Sequence, residues 1–259
     1  MAEPARLRIE AGPARLVAVL RGSGPLVVMV PSLGRGAADF DDLAGALAGA
    51  GFRAVAIEPR GAGRSEGPME GLTLHDYAAD LAATIEALQD GPAHVVGHAF
   101  GNRVVRCFAT DRPDLARSVT LLGAGGKVPP DAEAAAALGR CFEPGISFDD
   151  RMAAAAIAFV APGNDPRLWS DGWYPEVARA EGAASRATPA EGWWDGGAAP
   201  MLVVQGLQDR IAPPANGRAL KEAFPTRVTL VEVDHAGHAL LPEQPAAVAE
   251  AVVAFLRGQ

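Results

Sequence analysis

Short apolar runs rich in β-branched residues alternate along this chain with segments whose apolar residues recur at helical spacing. Strands separated by helices tend to lie parallel in one sheet, because each parallel return needs a crossover of a dozen or more residues. The strands are predicted at residues 14–20, 25–30, 53–58, 93–97, 117–123, 201–206 and 227–233, and the helices at 38–50, 74–89, 100–111, 215–223 and 244–257. The central runs are apolar throughout, as in strands covered on both faces. The pattern therefore predicts an α/β fold: a mostly parallel twisted sheet of about eight strands with helices on both faces.

The alternation is interrupted between residues 126 and 197. We predict a core formed by residues 1–125 and 198–259, and a helical cap insertion formed by residues 126–197. All four tryptophans of the chain lie in this insertion, and aromatic side chains supply a large apolar surface. They are candidate substrate-binding residues in the roof of an apolar pocket: Trp169, Trp173, Trp193 and Trp194. For any single tryptophan the alternative is that it only packs the insertion onto the core.

Composition and charge exclude several classes of function. The formal net charge is −8, with 23 Lys and Arg against 31 Asp and Glu and no basic run, which argues against nucleic-acid binding. The longest apolar run, residues 153–161, is too short for the roughly 20 residues that span a bilayer, and the start of the chain has no cleavable apolar core. We expect a cytoplasmic monomer or homodimer without membrane or nucleic-acid partners. The sequence has no metal-ligand spacing and no cofactor motif, so the expected partner is a small-molecule substrate alone.

The segment VVGHAFGNRVV, residues 95–105, contains the frame G-x-A-x-G. A nucleophile elbow has the frame G-x-S-x-G between a strand and a helix, and it holds its central residue exposed at the carboxyl end of the sheet. Gly97 and Gly101 match the two glycines, and Ala99 stands where the serine would be. Ala99 is therefore predicted at the nucleophile position of an elbow although a methyl group cannot attack a carbonyl.

Two segments further along the chain supply the partners of such an elbow. Asp209 follows the predicted strand 201–206, and His238 follows the last predicted strand. The order elbow, acid, histidine is that of a Ser, Asp, His triad on this architecture. We predict His238 and Asp209 as the catalytic pair, with His235 as the less favoured base.

The loop in VMVPSLGRGAADF, after an early strand, completes the predicted site. The backbone N–H of Leu33, together with that of Phe100, is predicted to form an oxyanion hole. Ser32 and His98 lie beside these positions and are candidate substrate-binding residues. Ser32 is also considered as a substitute nucleophile, although loop hydroxyls more often bind their own loop. His98 has the alternative of packing under the strand ends.

The segments EPRGAGRSEGP at 58–68 and HAGHALLPEQP at 235–245, taken with the elbow, resemble those of the capped α/β-hydrolase-fold superfamily. The resemblance covers nearly the whole chain. It implies the α/β-hydrolase fold, an Asp209 that orients and charge-stabilises His238, and a cap that selects the substrate. Two positions depart from the family pattern: the usual His-Gly of the oxyanion loop is Pro31-Ser32, and the elbow serine is Ala99.

Three interpretations of Ala99 remain open at this stage. In the first, the alanine is natural and the His238/Asp209 pair acts as a general base without a covalent step. The function is then hydrolysis of a small, mostly apolar carbonyl compound of the ester or lactone class, or the chemistry of the cofactor-independent lyases and dioxygenases of the same fold. In the second, the chain is an engineered Ser-to-Ala variant of a serine hydrolase. In the third, it is a non-catalytic ligand-binding protein, a role that has no evident need for an oriented base.

Overall fold

The computed structural model describes residues 4–259, in which eight strands form one sheet in the order β1-β2-β4-β3-β5-β6-β7-β8. The strands are β1 (Ala5–Ala11), β2 (Ala14–Arg21), β3 (Leu26–Val30), β4 (Arg53–Glu58), β5 (Ala93–His98), β6 (Ala116–Leu122), β7 (Met201–Gly206) and β8 (Val228–Val233). The strand β2 pairs antiparallel with β1 and β4, and the pairs from β4 to β8 are parallel. The predicted mostly parallel sheet of about eight strands is confirmed.

Helices cover both faces of this sheet. The helices within residues 4–259 are α1 (Asp41–Gly49), α2 (Leu74–Leu88), α3 (Phe100–Asp111), α4 (Ala132–Cys141), α5 (Phe148–Ala158), α6 (Pro175–Ala187), α7 (Ala215–Ala223), α8 (Leu240–Glu243) and α9 (Pro245–Arg257). Consecutive strand residues point to opposite faces, so Val28 and Val95 pack with α2 and α3 while Val27 and Val96 pack with α1 and α9. No helix within residues 4–259 combines the length and the apolar character needed to cross a membrane.

The strand β1 was not predicted from the sequence. It lies at one edge of the sheet, pairs only with β2, and leaves five of its seven residues exposed. Its charged residues are tolerated because an edge strand has one free side and little burial, so an apolar run is not required there. The helix predicted at 38–50 begins instead as a 3₁₀ turn at Ala37–Phe40 before α1.

The segment between β6 and β7 is helical. It contains α4, α5 and α6 with two short 3₁₀ turns, Pro166–Trp169 and Ala190–Gly192. Its apolar side chains form a third cluster that includes Cys141, Met152 and Trp169, and also Ala239 from the loop after β8. The helical insertion therefore packs directly on the loop that carries the predicted catalytic histidine.

Candidate active site

Ala99 occupies the sharp turn between β5 and α3 in a strained conformation, with φ 49° and ψ −104°. Such a conformation costs a non-glycine residue about 1–3 kcal/mol and persists only where the surroundings enforce it. A Cβ on Gly97 would lie 2.3 Å from the carbonyl oxygen of Gly101, and one on Gly101 would lie 2.1 Å from that of Val30. The two glycines are thus required by close backbone packing, and the turn presents Ala99 to a pocket that His238 also lines.

His238 lies in the loop after β8 and forms a hydrogen bond from Nδ1 to Oδ2 of Asp209, at 2.8 Å. A carboxylate oxygen accepts this hydrogen bond, so Nδ1 is the donor, and in the neutral imidazole the lone pair then lies on Nε2. His238 is buried among protein atoms but lines the pocket beside Ala99. The predicted pair is therefore brought together with its basic nitrogen available.

Asp209 is fixed by its own loop. Its Oδ1 accepts the backbone N–H groups of Ile211 at 2.9 Å and Ala212 at 2.7 Å, and Gln205 Nε2 lies 3.3 Å from its Oδ2. These donors compensate the negative charge, since a buried carboxylate needs several hydrogen bonds to stay ionised. The carboxylate is consequently oriented before any substrate binds.

His98 holds the histidine loop from below. Its Nε2 lies 2.8 Å from the backbone oxygen of His238, its ring is fully buried, and it does not line the pocket. Burial, followed by the charge interaction with the nearby His238, lowers the pKa of His98 to about 3. The prediction that His98 binds substrate is therefore corrected: a neutral His98 donates to the His238 carbonyl and positions that loop.

The two residues predicted to form the oxyanion hole line the same pocket. Leu33 and Phe100 both line it, and neither backbone N–H is donated to another group within residues 4–259. Free amide N–H groups beside an elbow can donate hydrogen bonds to a carbonyl oxygen on which negative charge develops. Ser32 also lines the pocket and is largely buried.

The helical insertion fixes the oxyanion loop through Gly34. The Gly34 N–H donates to Oε2 of Glu181 at 2.7 Å, and the Tyr174 N–H donates to the Gly34 carbonyl at 2.9 Å. Burial raises the pKa of Glu181 well above its ordinary value, so the neutral acid is favoured. Glu181 reaches no substrate position, and its contact with Gly34 makes it a positioning residue.

Two of the four tryptophans form a pocket wall. Trp169 and Trp173 lie with their ring centroids 5.8 Å apart, and the Arg35 guanidinium stacks on both, with its carbon 4.3 and 4.6 Å from the two centroids. The ring of Phe159 completes this wall and stacks on His238 with a centroid distance of 5.9 Å. The pocket enclosed here has a volume of about 250 Å³.

Trp193 and Trp194 do not line this pocket, which corrects their prediction as substrate-binding residues. Trp193 is buried beneath the guanidinium of Arg106, and Trp194 packs against Phe224 and Lys127. They attach the end of the insertion to the core. The position of Trp193 and Trp194 in the same insertion as Trp169 and Trp173 did not indicate whether their rings face the pocket or the core.

Sequence reasoning missed several groups of the site. Arg35, Arg103, Arg186 and Phe159 all line the pocket. Arg103 follows Ala99 by four residues in the chain, and residues one helical turn apart share a face. That spacing is a signal from which Arg103 could have been predicted. Phe159 belongs to an apolar run with no visible functional mark.

The sequence and the fold of this chain are similar to those of known proteins. A family model described as the alpha/beta hydrolase family matches residues 27–251. A Variovorax paradoxus protein provisionally named carbamate hydrolase RutD is 30% identical over 254 residues, covering 90% of this chain and 92% of that protein. The crystal structure of E-2-(acetamidomethylene)succinate hydrolase matches 98% of this chain and all of its own, with a TM-score of 0.80 and 25% identity. An esterase from Exiguobacterium antarcticum matches in fold, with a TM-score of 0.82 over 98% of this chain at 17% identity.

Proposed function

The chain belongs to the alpha/beta hydrolase family and is an enzyme of the hydrolase class, and from this we propose that it hydrolyses a small ester or lactone by direct attack of water. The observation that carries the proposal is the conjunction at one pocket of a complete His238/Asp209 pair, two free amide donors and a strained elbow that ends in a methyl group. Family relatives named as hydrolases support the reaction class.

His238 is the proposed general base. Its Nε2 takes a proton from water while Asp209 holds the imidazole by Nδ1 and stabilises the imidazolium that forms. The proton then passes from Nε2 to the leaving oxygen, so the base returns to its starting state. No acyl-enzyme is formed, because Ala99 has no group that could carry the acyl chain.

The amides of Leu33 and Phe100 are the proposed oxyanion donors. The tetrahedral intermediate places negative charge on the former carbonyl oxygen, and fixed N–H donors at that point are among the larger contributions to catalysis. Ala99 is proposed to support this arrangement through its backbone, because the strained turn precedes Phe100, whose N–H makes no other hydrogen bond within residues 4–259 and which lines the pocket. The methyl group of Ala99 lacks the oxygen atom of a serine side chain. This favours attack on the substrate by a bound water molecule over covalent attack by residue 99.

The pocket favours a small, partly apolar substrate, and we propose that the helical insertion acts as its cap. A volume of about 250 Å³ is at the small end for ligand pockets, and aromatic rings of the insertion form one wall. The same insertion contacts both the oxyanion loop, through Gly34, and the histidine loop, through the backbone oxygen of Phe159. A cap of this kind excludes bulk water while the substrate is bound.

The test is product formation from a panel of short esters and lactones with the natural chain and two variants. His238→Ala is expected to lower kcat/KM by at least about 10²-fold, the lower range for a general base. Ser32→Ala separates water attack from an acyl-enzyme on Ser32: we expect turnover to persist in this variant. A loss of turnover in Ser32→Ala, together with covalent labelling of Ser32 by a fluorophosphonate in the natural chain, would replace the proposed mechanism by a covalent one. If the folded protein turns over none of the esters and lactones of the panel, the proposed hydrolytic function is wrong.

A further inference from the structure

Arg103 places a cation in the active-site pocket without a counter-charge. It lies in the second turn of α3, is half-buried and lines the pocket together with Ala99 and His238. Within residues 4–259 its guanidinium makes no ion pair and no hydrogen bond; its one recorded side-chain interaction is with the Trp193 ring, at 5.5 Å. Burial lowers the pKa of Arg103, and no neighbouring carboxylate counteracts this. Placing a charge in such surroundings without a partner is unfavourable for folding.

Arg106, one turn further along α3, shows how this fold treats a structural guanidinium. It is fully buried, and its nitrogens donate to the backbone oxygens of Asn102, Trp194 and Gly125 and to Oδ1 of Asn102. Arg106, which connects α3 to neighbouring segments, therefore has hydrogen-bond acceptors for its guanidinium group. Arg103 lies beside the same Gly125 segment and is left with its donors free.

The remaining charges of the pocket do not compensate Arg103. The lining contains three arginines and neither Asp nor Glu. Arg35 is neutralised by a two-point ion pair with Asp39, at 2.9 and 2.6 Å, although its Nη1 has no partner among the described residues. Arg186 is exposed in the cap helix α6. The pocket interior thus carries about one uncompensated positive charge.

We propose that the substrate bears a carboxylate group and that Arg103 binds it, with the Nη1 of Arg35 and the side chain of Arg186 as further donors along the pocket. This substrate class rests on the proposed function of the site. A guanidinium offers two parallel N–H donors that match a carboxylate, and one unpaired cation matches its single negative charge better than the higher charge of a phosphate. The scissile carbonyl then lies at Ala99 and the carboxylate at the α3 side of the pocket, so that the aromatic wall contacts the intervening chain.

The first experiment measures binding, which does not depend on turnover. Isothermal titration in low-salt buffer compares glutaramate, which has one carboxylate and one amide, with the neutral diamide glutaramide. We expect glutaramate to bind the natural chain at least about 10-fold more tightly, the effect of one charge-assisted contact. Arg103→Met should abolish this preference and Arg103→Lys should keep part of it. Arg64→Met, which removes an exposed charge outside the pocket, is the matched control and should leave the preference unchanged.

The variant Arg103→Met is expected to fold, because it removes an unpaired half-buried charge and keeps an apolar stem of similar length; its Tm should equal or exceed that of the natural chain. Equal affinity of the natural chain for glutaramate and glutaramide, binding of neither, or an unchanged preference in Arg103→Met would overturn the proposal. Tighter binding of inorganic phosphate than of glutaramate would also overturn it in favour of a phosphate site.

A second arm separates this proposal from the hydrolytic function. Mono-p-nitrophenyl glutarate and p-nitrophenyl pentanoate have acyl chains of the same carbon number and differ in the terminal carboxylate. We expect kcat/KM at least about 10-fold higher for the glutarate ester, and a ratio near one in Arg103→Met. Equal hydrolysis of both esters would refute the carboxylate site and support the hydrolytic function. Carboxylate-selective binding without any hydrolysis would support the carboxylate site and refute the hydrolytic function.

Discussion

Replacing Ala99 by serine tests whether the groups around the elbow are aligned for acyl transfer. Residue 99 already has the strained backbone angles of a nucleophile, so the substitution demands no change in the chain. Residue 99 lines the pocket, so we expect the pocket to accommodate one added hydroxyl. We therefore expect the free energy of unfolding to change by less than about 0.5 kcal/mol, as for most substitutions that disturb no buried contact.

The size of the gain follows from what is already in place. Removing the serine of a functioning triad costs on the order of 10⁶ in kcat, about 8 kcal/mol at 1.36 kcal/mol per tenfold. The His238 to Asp209 hydrogen bond and the free amides of Leu33 and Phe100 need not be created. Hydrolysis by direct water attack in the natural chain reduces the difference in rate between that chain and Ala99→Ser. We therefore expect a gain in kcat/KM of at least about 10³-fold for p-nitrophenyl acetate.

The assay is release of p-nitrophenol with a pre-steady-state burst, together with labelling by a fluorophosphonate. Ala99→Ser should show a burst and covalent labelling at residue 99, and the double variant Ala99→Ser/His238→Ala should lose both. Ala99→Gly is the matched control, because it relaxes the strained turn without adding a nucleophile. If a folded Ala99→Ser protein gives neither burst nor labelling, then residue 99, His238 and the oxyanion donors are not aligned, and the mechanism proposed here is wrong.

Three further predictions address other parts of the site. Asp209→Asn should keep the fold and lower kcat by about 10²-fold or more, because His238 loses the acceptor that fixes its tautomer; circular dichroism and steady-state kinetics check both statements. Glu181 has a pKa raised by burial, so its stabilising contribution is complete below about pH 4.5 and is lost as the pH rises. Glu181→Gln keeps an acceptor for Gly34 and has no carboxyl group to titrate. The Tm of this variant, relative to that of the natural chain, should therefore rise between pH 5 and pH 8. A difference in Tm that stays constant over this pH range would contradict the prediction. Arg106→Met should lower the free energy of unfolding in urea by about 3 kcal/mol, because buried backbone carbonyls lose their donor.

The sequence was most informative where backbone geometry depends on residue type. Gly97 and Gly101 are fixed by contacts of less than 2.5 Å that any Cβ would make, and such constraints appear directly as a motif. The buried parallel strands were predictable for a related reason, since burial on both faces requires continuous apolar runs. Asp209 and His238 follow the ends of strands, and the carboxyl ends of parallel strands meet at one edge of the sheet.

Side-chain direction within the insertion could not be predicted in the same way. Trp169 ends one short 3₁₀ turn and Trp193 follows another, and turns of three or four residues are too short for periodicity to relate sequence position to a face. One faces the pocket and the other lies under Arg106. The role of His98 was equally hidden, because its contact is with a backbone oxygen 140 positions away, and backbone oxygens leave no trace in a sequence.

The insertion is joined to both halves of the proposed catalytic arrangement, and in the proposed function this links substrate recognition to the chemical step. Glu181 holds the oxyanion loop through Gly34, while the backbone oxygen of Phe159 accepts the Ala239 N–H at 2.9 Å, next to His238. A shift of α6 or of the end of α5 would therefore move the oxyanion donor or the base, and small displacements of such groups have large effects on rate. Substitutions in this insertion should consequently lower kcat as well as raise KM, whereas a cap that served binding alone would affect KM only.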